Sequence, residues 1–205
     1  MEDVKNSKGQ WLQRVGTGNS NTYQTRASIL WGNLKRRLKA LQPRDETYSE
    51  SNNFFLNFQD FAEWCQDAPN YKSLDKNGRY YQLDKDILIP GNRDYSRDTC
   101  CFVPAELNMI FSKGNNKTNK LLMGTCLEPK SGKFVTHIGG LGLLHGYAGT
   151  YETEMEAHRV WQLGKIDVLN KAIQTFHYLP DVIISGLNLH RDLIKNQYDN
   201  YETTP

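Results

Sequence analysis

Apolar positions along this chain follow a helical period in some stretches and a strand period in others, and the changes between them mark its elements. Residues 1–25 are rich in Gly, Ser, Asn and Thr and carry neither period, so they read as loose or loop-like. From Ser28 to Leu41 the positions Ile29, Leu30, Leu34, Leu38 and Leu41 recur at helical spacing, with Trp31 on the edge of the stripe. Pro43 marks the end of that helix. A second helix is expected from Phe54 to Cys65, with Phe54, Phe58, Phe61, Ala62 and Cys65 on one side. Asn77-Gly78 then turns the chain into an apolar strand spanning Tyr81 to Ile87. A polar turn (Pro90-Gly91-Asn92-Arg93-Asp94), a short strand ending at Val103 and a helix-like run from Pro104 to Phe111 follow.

Residues 112–120 contain no apolar side chain and cannot build a core, which makes them a linker. Beyond it, 121–127, 133–138 and Leu143 to Tyr151 read as strands, with a turn at Pro129-Lys130-Ser131-Gly132. Thr153 and Glu156 have the spacing of a capping box, which starts a helix carrying Met155, Trp161, Val168 and Leu169. Phe176 to Tyr198 is amphipathic, with Pro180 suited to a helix start. Helices and short hairpins in succession give an α+β class. The expected domains are 1–111, 121–175 and a helical tail, 176–205.

Composition narrows this picture. A chain of 205 residues suffices for one domain or two small ones. At 38% hydrophobic and 11% aromatic it has enough apolar material for a small core. The net charge of +2 says less than its distribution. Arg26, Lys35, Arg36, Arg37, Lys39 and Arg44 form a basic block with no acid among them, which would attract phosphate independently of sequence. The competing reading is a solvated helix face. The polar start has no apolar region of a signal peptide behind it, and no run reaches the length of a membrane span. Cys65, Cys100, Cys101 and Cys126 lack the ligand spacing of structural zinc, and reduced thiols in a cytoplasm are the simplest expectation.

The candidate chemistry lies at Asp84-Lys85-Asp86 and Asn108. Two carboxylates one residue apart at a strand end, with a side-chain amide on a following helix, can hold one hard cation. Mg²⁺ (or Mn²⁺) prefers oxygen ligands and keeps several waters, so Asp84 and Asn108 suffice as protein ligands. A cation there can stabilise both the attacking and the leaving oxygen of a phosphodiester. Strand alternation sends Asp84 and Asp86 to one face and Lys85 to the other. That favours Asp86 as base or second ligand. An ammonium is a poor base at neutral pH, so Lys85 reads as a phosphate contact. A turn-forming or salt-bridged surface pair is the competing reading of the two aspartates.

Leu83, Asp84, Lys85, Asp86, Tyr95, Ser96, Thr99, Cys100, Phe102, Val103 and Asn108 match in order and spacing the core of the HNH (ββα-metal) nucleases of bacteriophages, which the segment therefore resembles. The resemblance implies a small metal-binding core with flanking helices and hydrolysis of a phosphodiester in double-stranded DNA, in the homing manner. Many members carry a general-base His directly after the first Asp, where this chain has Lys85, and no His precedes His137. A catalytically silent DNA-binding protein on the same scaffold is therefore the alternative. Gly149-Thr150-Tyr151, Thr153 and Glu156-Ala157 resemble the join between sheet and helix of the apetala-two-type DNA-binding domain. That likeness implies a sheet lying in the major groove and places Lys130, Lys133, Thr136, His137 and His145 toward DNA. For the two histidines a structural role is an equal reading. With Arg36, Arg37 and Lys39 these make the expected DNA contacts of a protein acting as a monomer, a dimer remaining open.

Overall fold

The computed structural model describes residues 2–16, 23–39, 51–111, 121–140 and 146–204. Five helices and three small antiparallel sheets lie among them, a mixed α and β composition in agreement with the expected class. Contacts divide the chain into two units: Met1–Asp86 with Gly91–Val103, and Ile87–Pro90 with Pro104–Pro205. The linker expected at 112–120, the end of the first expected helix (Leu41, Pro43) and Arg44, Leu143 and His145 lie outside the described residues.

In the first unit, β1 (Arg14–Val15) pairs with β2 (Tyr23–Gln24), and α1 (Arg26–Leu38) follows directly. Thr25 starts α1 by accepting from the Ser28 N–H through its side chain. Residues 2–16 are not loose, because polar bonds fasten them. Asp3 accepts from the Ala27 N–H, the Gln66 amide and the Tyr71 hydroxyl. Gln59 exchanges two hydrogen bonds with the Trp11 backbone, at 2.6 and 2.9 Å. The buried stripe of α1 is Ala27, Trp31 and Leu34, so Trp31 is its centre and not its edge. Aromatic partners draw the helix round: Trp31 lies 5.4 Å from Phe61, centroid to centroid.

The next helix, α2, covers only Phe58–Asp67. Asn57 sets its start by accepting from the N–H groups of Gln59 and Asp60, which leaves Phe54 outside the helix. Phe55, Phe61, Trp64, Tyr71 and Phe102 form a continuous aromatic core with centroid separations of 5.0–5.8 Å. Phe102 belongs to a hairpin of β3 (Gln82–Asp84) and β4 (Cys101–Val103), in which Asp84 pairs with Cys101.

The first helix of the second unit is α3 (Ala105–Ile110), one residue after β4 in the chain. Its sheet has the order β5 (Thr125–Leu127), β6 (Phe134–Ile138), β7 (Gly146–Tyr151). Then comes α4 (Glu154–Thr175), opened by a complete capping box at Thr153 and Glu156, and α5 (Asp181–Asp199), which packs back on it. All three strands pack against α4. Ile183, Leu187 and Ile194 of α5 and Val168, Leu169 and Ala172 of α4 are buried. Close approach fixes two glycines. A Cβ on Gly124, whose φ is +78°, would meet the Trp161 ring at 1.9 Å, and one on Gly186 would meet the Ile87 carbonyl oxygen at 2.4 Å.

Candidate functional site

Strand β3 stops at Asp84, and the side chain of Asp84 is part of the reason. Its Oδ1 accepts from the Asp86 N–H at 2.8 Å, an Asx-type turn that takes the backbone out of the ladder. Strand alternation therefore does not extend to Asp86. Asp84 is 5% exposed and Lys85 7%, while the Asp86 side chain is 42% exposed. The expected arrangement, with both aspartates on one face and Lys85 on the other, is corrected to a buried carboxylate followed by an ion pair. Lys85 Nζ lies 2.6 Å from Asp86 Oδ1, donates to the Asn92 carbonyl at 3.4 Å and sits 5.8 Å from the Tyr95 ring centroid.

Asn92 organises the loop that faces this pair. Its amide donates to the carbonyls of Lys85 (2.5 Å) and Asp94 (2.9 Å), and its own oxygen accepts from the Asp94 N–H. Asn52 donates to Asp94 Oδ1 at 2.8 Å, and Thr99 Oγ1 donates to the Asp94 carbonyl at 2.7 Å. The Ser96 and Thr99 hydroxyls bond each other, and each accepts from the other residue's backbone N–H, which shapes the turn into β4. Asn92 escaped the sequence reading, although the Pro-Gly-Asn turn was its signal. Cys100 and Cys101, beside the hairpin, are buried, and burial raises both thiols, Cys100 to about 12. They act as small apolar residues there. Asn108 lies on α3 and belongs to the second unit, whereas Asp84 belongs to the first.

The donor chemistry at Asp84 suits a hard cation that keeps most of its water, because the carboxylate supplies oxygen alone. Among the described residues no three or more of His, Cys, Asp and Glu come together as a metal cluster. A cation caged wholly by such side chains does not fit there.

On the sheet of the second unit the strands sort their residues cleanly. Thr136 is fully buried, and its hydroxyl donates to the Ala157 carbonyl of α4 at 2.7 Å. It faces the helix, so its expected DNA contact is corrected to a sheet-to-helix bond. The neighbouring pair position, His137 opposite Tyr147, lies on the other face; His137 is exposed, and the two rings are 6.2 Å apart. The Tyr147 hydroxyl bonds Thr150 Oγ1 at 2.9 Å. Lys133 is half-buried and held by Glu152 across the strands at 2.5 Å, a bond that raises its pKa. Lys130 is exposed at the turn, and His145 lies outside the described residues.

The basic block divides in two. Lys35 and Lys39 are exposed and Arg36 and Arg37 half-buried at the C-terminal turn of α1, where cations also satisfy the helix dipole. Arg26 is not part of that face. It is 6% exposed, donates to the Tyr81 carbonyl at 2.7 Å and lies 4.3 Å from the Tyr71 and Tyr80 ring centroids. Burial lowers its pKa without removing its charge. Sequence reading also passed over Lys165 of α4, which donates to the Ile110 carbonyl at the end of α3 and is lowered by burial to about 8. No helix among the described residues is long and apolar enough to cross a membrane. No protein family, no curated protein and no solved structure was found to match this chain.

Proposed function

We propose that the protein is a metal-dependent endonuclease acting on duplex DNA. The observation that carries this reading is the buried Asp84 carboxylate at the end of β3, in a β3–β4 hairpin followed after one residue by α3 with Asn108. A buried carboxylate is costly unless it is paired, hydrogen-bonded or metal-bound. Asp84 would hold a hydrated Mg²⁺ or Mn²⁺. When bound, the ion would supply charge stabilisation at the scissile phosphate. Asp86, the more exposed member of the Lys85 pair, is the group we assign to orienting the attacking water. Lys85, fixed by Asp86 and Asn92, would present positive charge and not serve as the base. Duplex contacts would come from Arg36, Arg37 and Lys39 on α1, and from Lys130, Lys133 and His137 on the sheet module.

One observation favours a second reading, a DNA-binding protein without catalysis. Asp84 already has a structural task in accepting from the Asp86 N–H, and Lys85 is occupied where a general base would be wanted. Plasmid cleavage in Mg²⁺ or Mn²⁺ separates the two. Wild-type protein should nick or cut supercoiled plasmid, and Asp84→Ala should lose that activity while still retarding duplex DNA. Undiminished cleavage by Asp84→Ala would remove the site assignment. Binding without cleavage by the wild type would establish the second reading.

A further inference from the structure

Phe54 and Leu56 project from the first unit. Phe54 is 63% exposed and Leu56 87%, while Phe55 between them is 3% exposed. Phe55 inserts into the aromatic core, 5.0 Å from Phe61 and 5.1 Å from Trp64 by ring centroids. A buried aromatic anchor thus turns its two neighbours outward. The backbone around them is held at every step. The Phe54 N–H donates to the Tyr95 carbonyl at 2.9 Å, and the Tyr95 N–H donates to the Asn52 carbonyl at 2.8 Å. Asn53 brackets Phe55, accepting from its N–H and donating to its carbonyl. The Leu56 N–H donates to Asp60 Oδ2 at 2.9 Å, and Asp60 is held in turn by Arg97 at 2.5 Å.

These bonds lead to the candidate site. Tyr95 follows Asp94, and Asn92 bonds both the Asp94 and the Lys85 carbonyls. Lys85 follows Asp84. Two large apolar side chains are therefore carried on a backbone hydrogen-bonded to the same loop that bonds the Lys85 carbonyl.

We propose that Phe54 and Leu56 form a wedge that inserts at a base step of duplex DNA next to the phosphate engaged at Asp84. The proposal rests on the endonuclease reading and deepens it. Single exposed apolar residues are ordinary on protein surfaces. Two of them, set apart by a buried anchor and pinned to the site's own loop, form a narrow projection. Their neighbours along the chain are the polar residues Asn52, Asn53 and Asn57. Phe and Leu are residue types that wedge between base pairs, unstack them and kink the duplex. A kink beside the hairpin would present the sugar–phosphate backbone to Asp84. Because the projection is already ordered, little conformational freedom is lost on insertion.

The test measures binding of the full chain, in chelator so that nothing is cut, to an intact duplex and to the same duplex carrying a one-nucleotide bulge. Wild type should prefer the bulged duplex by roughly tenfold, since its base step is already unstacked. The variant Phe54→Ala with Leu56→Ala should bind both duplexes alike and keep the wild-type salt slope, because no phosphate contact is lost. Phe54→Trp should retain the preference. Both positions are exposed, so the variants should fold, and circular dichroism verifies that they do. A preference that persists in the double variant, or none in the wild type, overturns the wedge alone. No affinity for either duplex at low salt overturns the DNA reading and the wedge with it.

Discussion

His158, near the start of α4, is fully buried and bonded through both ring nitrogens. Nε2 accepts from the Thr204 N–H at 3.0 Å, so Nδ1 carries the proton and donates to the Met123 carbonyl at 2.8 Å. Burial lowers its pKa below the ordinary 6.5. The fold therefore favours the neutral ring, and below about pH 6.5 the unfolded chain takes up the proton first. The His158 contribution is complete above that pH and is lost as pH falls through it. Thermal melts should show a midpoint that declines as pH falls below about 6.5, and His158→Gln should flatten that decline. The carboxylates of lowered pKa, Asp60, Glu63 and Asp75, act from their ordinary 3.8 to 4.5 downward, beneath the onset of this decline. Gly124 gives the other residue-scale test. Its positive φ and the Trp161 ring against it leave no room for a side chain, so Gly124→Ala should destabilise by about 2 kcal/mol or more in denaturant melts. Neither dependence is visible in sequence, because Thr204 and Trp161 reach His158 and Gly124 from distant positions.

Elements were legible where a local signal specified them. The capping box at Thr153 and Glu156 is local chemistry, and α4 begins where it predicts. The alternation through Phe134-Val135-Thr136-His137-Ile138 likewise yields β6. Among the misread ends, two were decided by a side chain: Asn57 delays α2 by capping it, and Asp84 ends β3 by folding onto the Asp86 N–H. The tail also proves more than an appendage. Gln162 donates to the Glu202 carbonyl at 2.9 Å, and Arg159 lies 4.0 Å from the ring centroids of both Tyr198 and Tyr201. With α5 and residues 200–204 closing over α4, a fragment 121–175 would expose Val168, Leu169 and Ala172. That fragment should aggregate or remain unfolded by circular dichroism, whereas 87–205, which keeps Ile87–Pro90 against Gly186, should melt cooperatively. Cooperative melting of 121–175 would show that α4 does not need α5.

At the scale of the whole molecule the proposed endonuclease reading assigns phosphate contacts to the basic turn of α1 and base contacts to the outer face of the sheet. Each phosphate neutralised should steepen the fall of log affinity with log salt by roughly 0.9. Neutralising Arg36 and Arg37 should lower affinity for specific and random duplexes alike and flatten the salt slope. His137→Ala and Tyr147→Ala should instead change preference among sequences. An unchanged salt slope for the arginine pair would move the phosphate track off α1. The α+β class, the strand–turn–strand–helix order around Asp84 and the sheet followed by a capped helix were determined by the sequence itself, because period, turn residues and caps act over a few neighbours. Burial was decided only by tertiary structure. Arg26 left the basic face for a cage of aromatic rings, Thr136 turned to the helix and away from solvent, and Lys85 closed on Asp86. Which face a side chain takes depends on what packs against it, and Tyr71, Ala157 and Asn92, which meet Arg26, Thr136 and Lys85, are brought there by the fold and not by the local pattern.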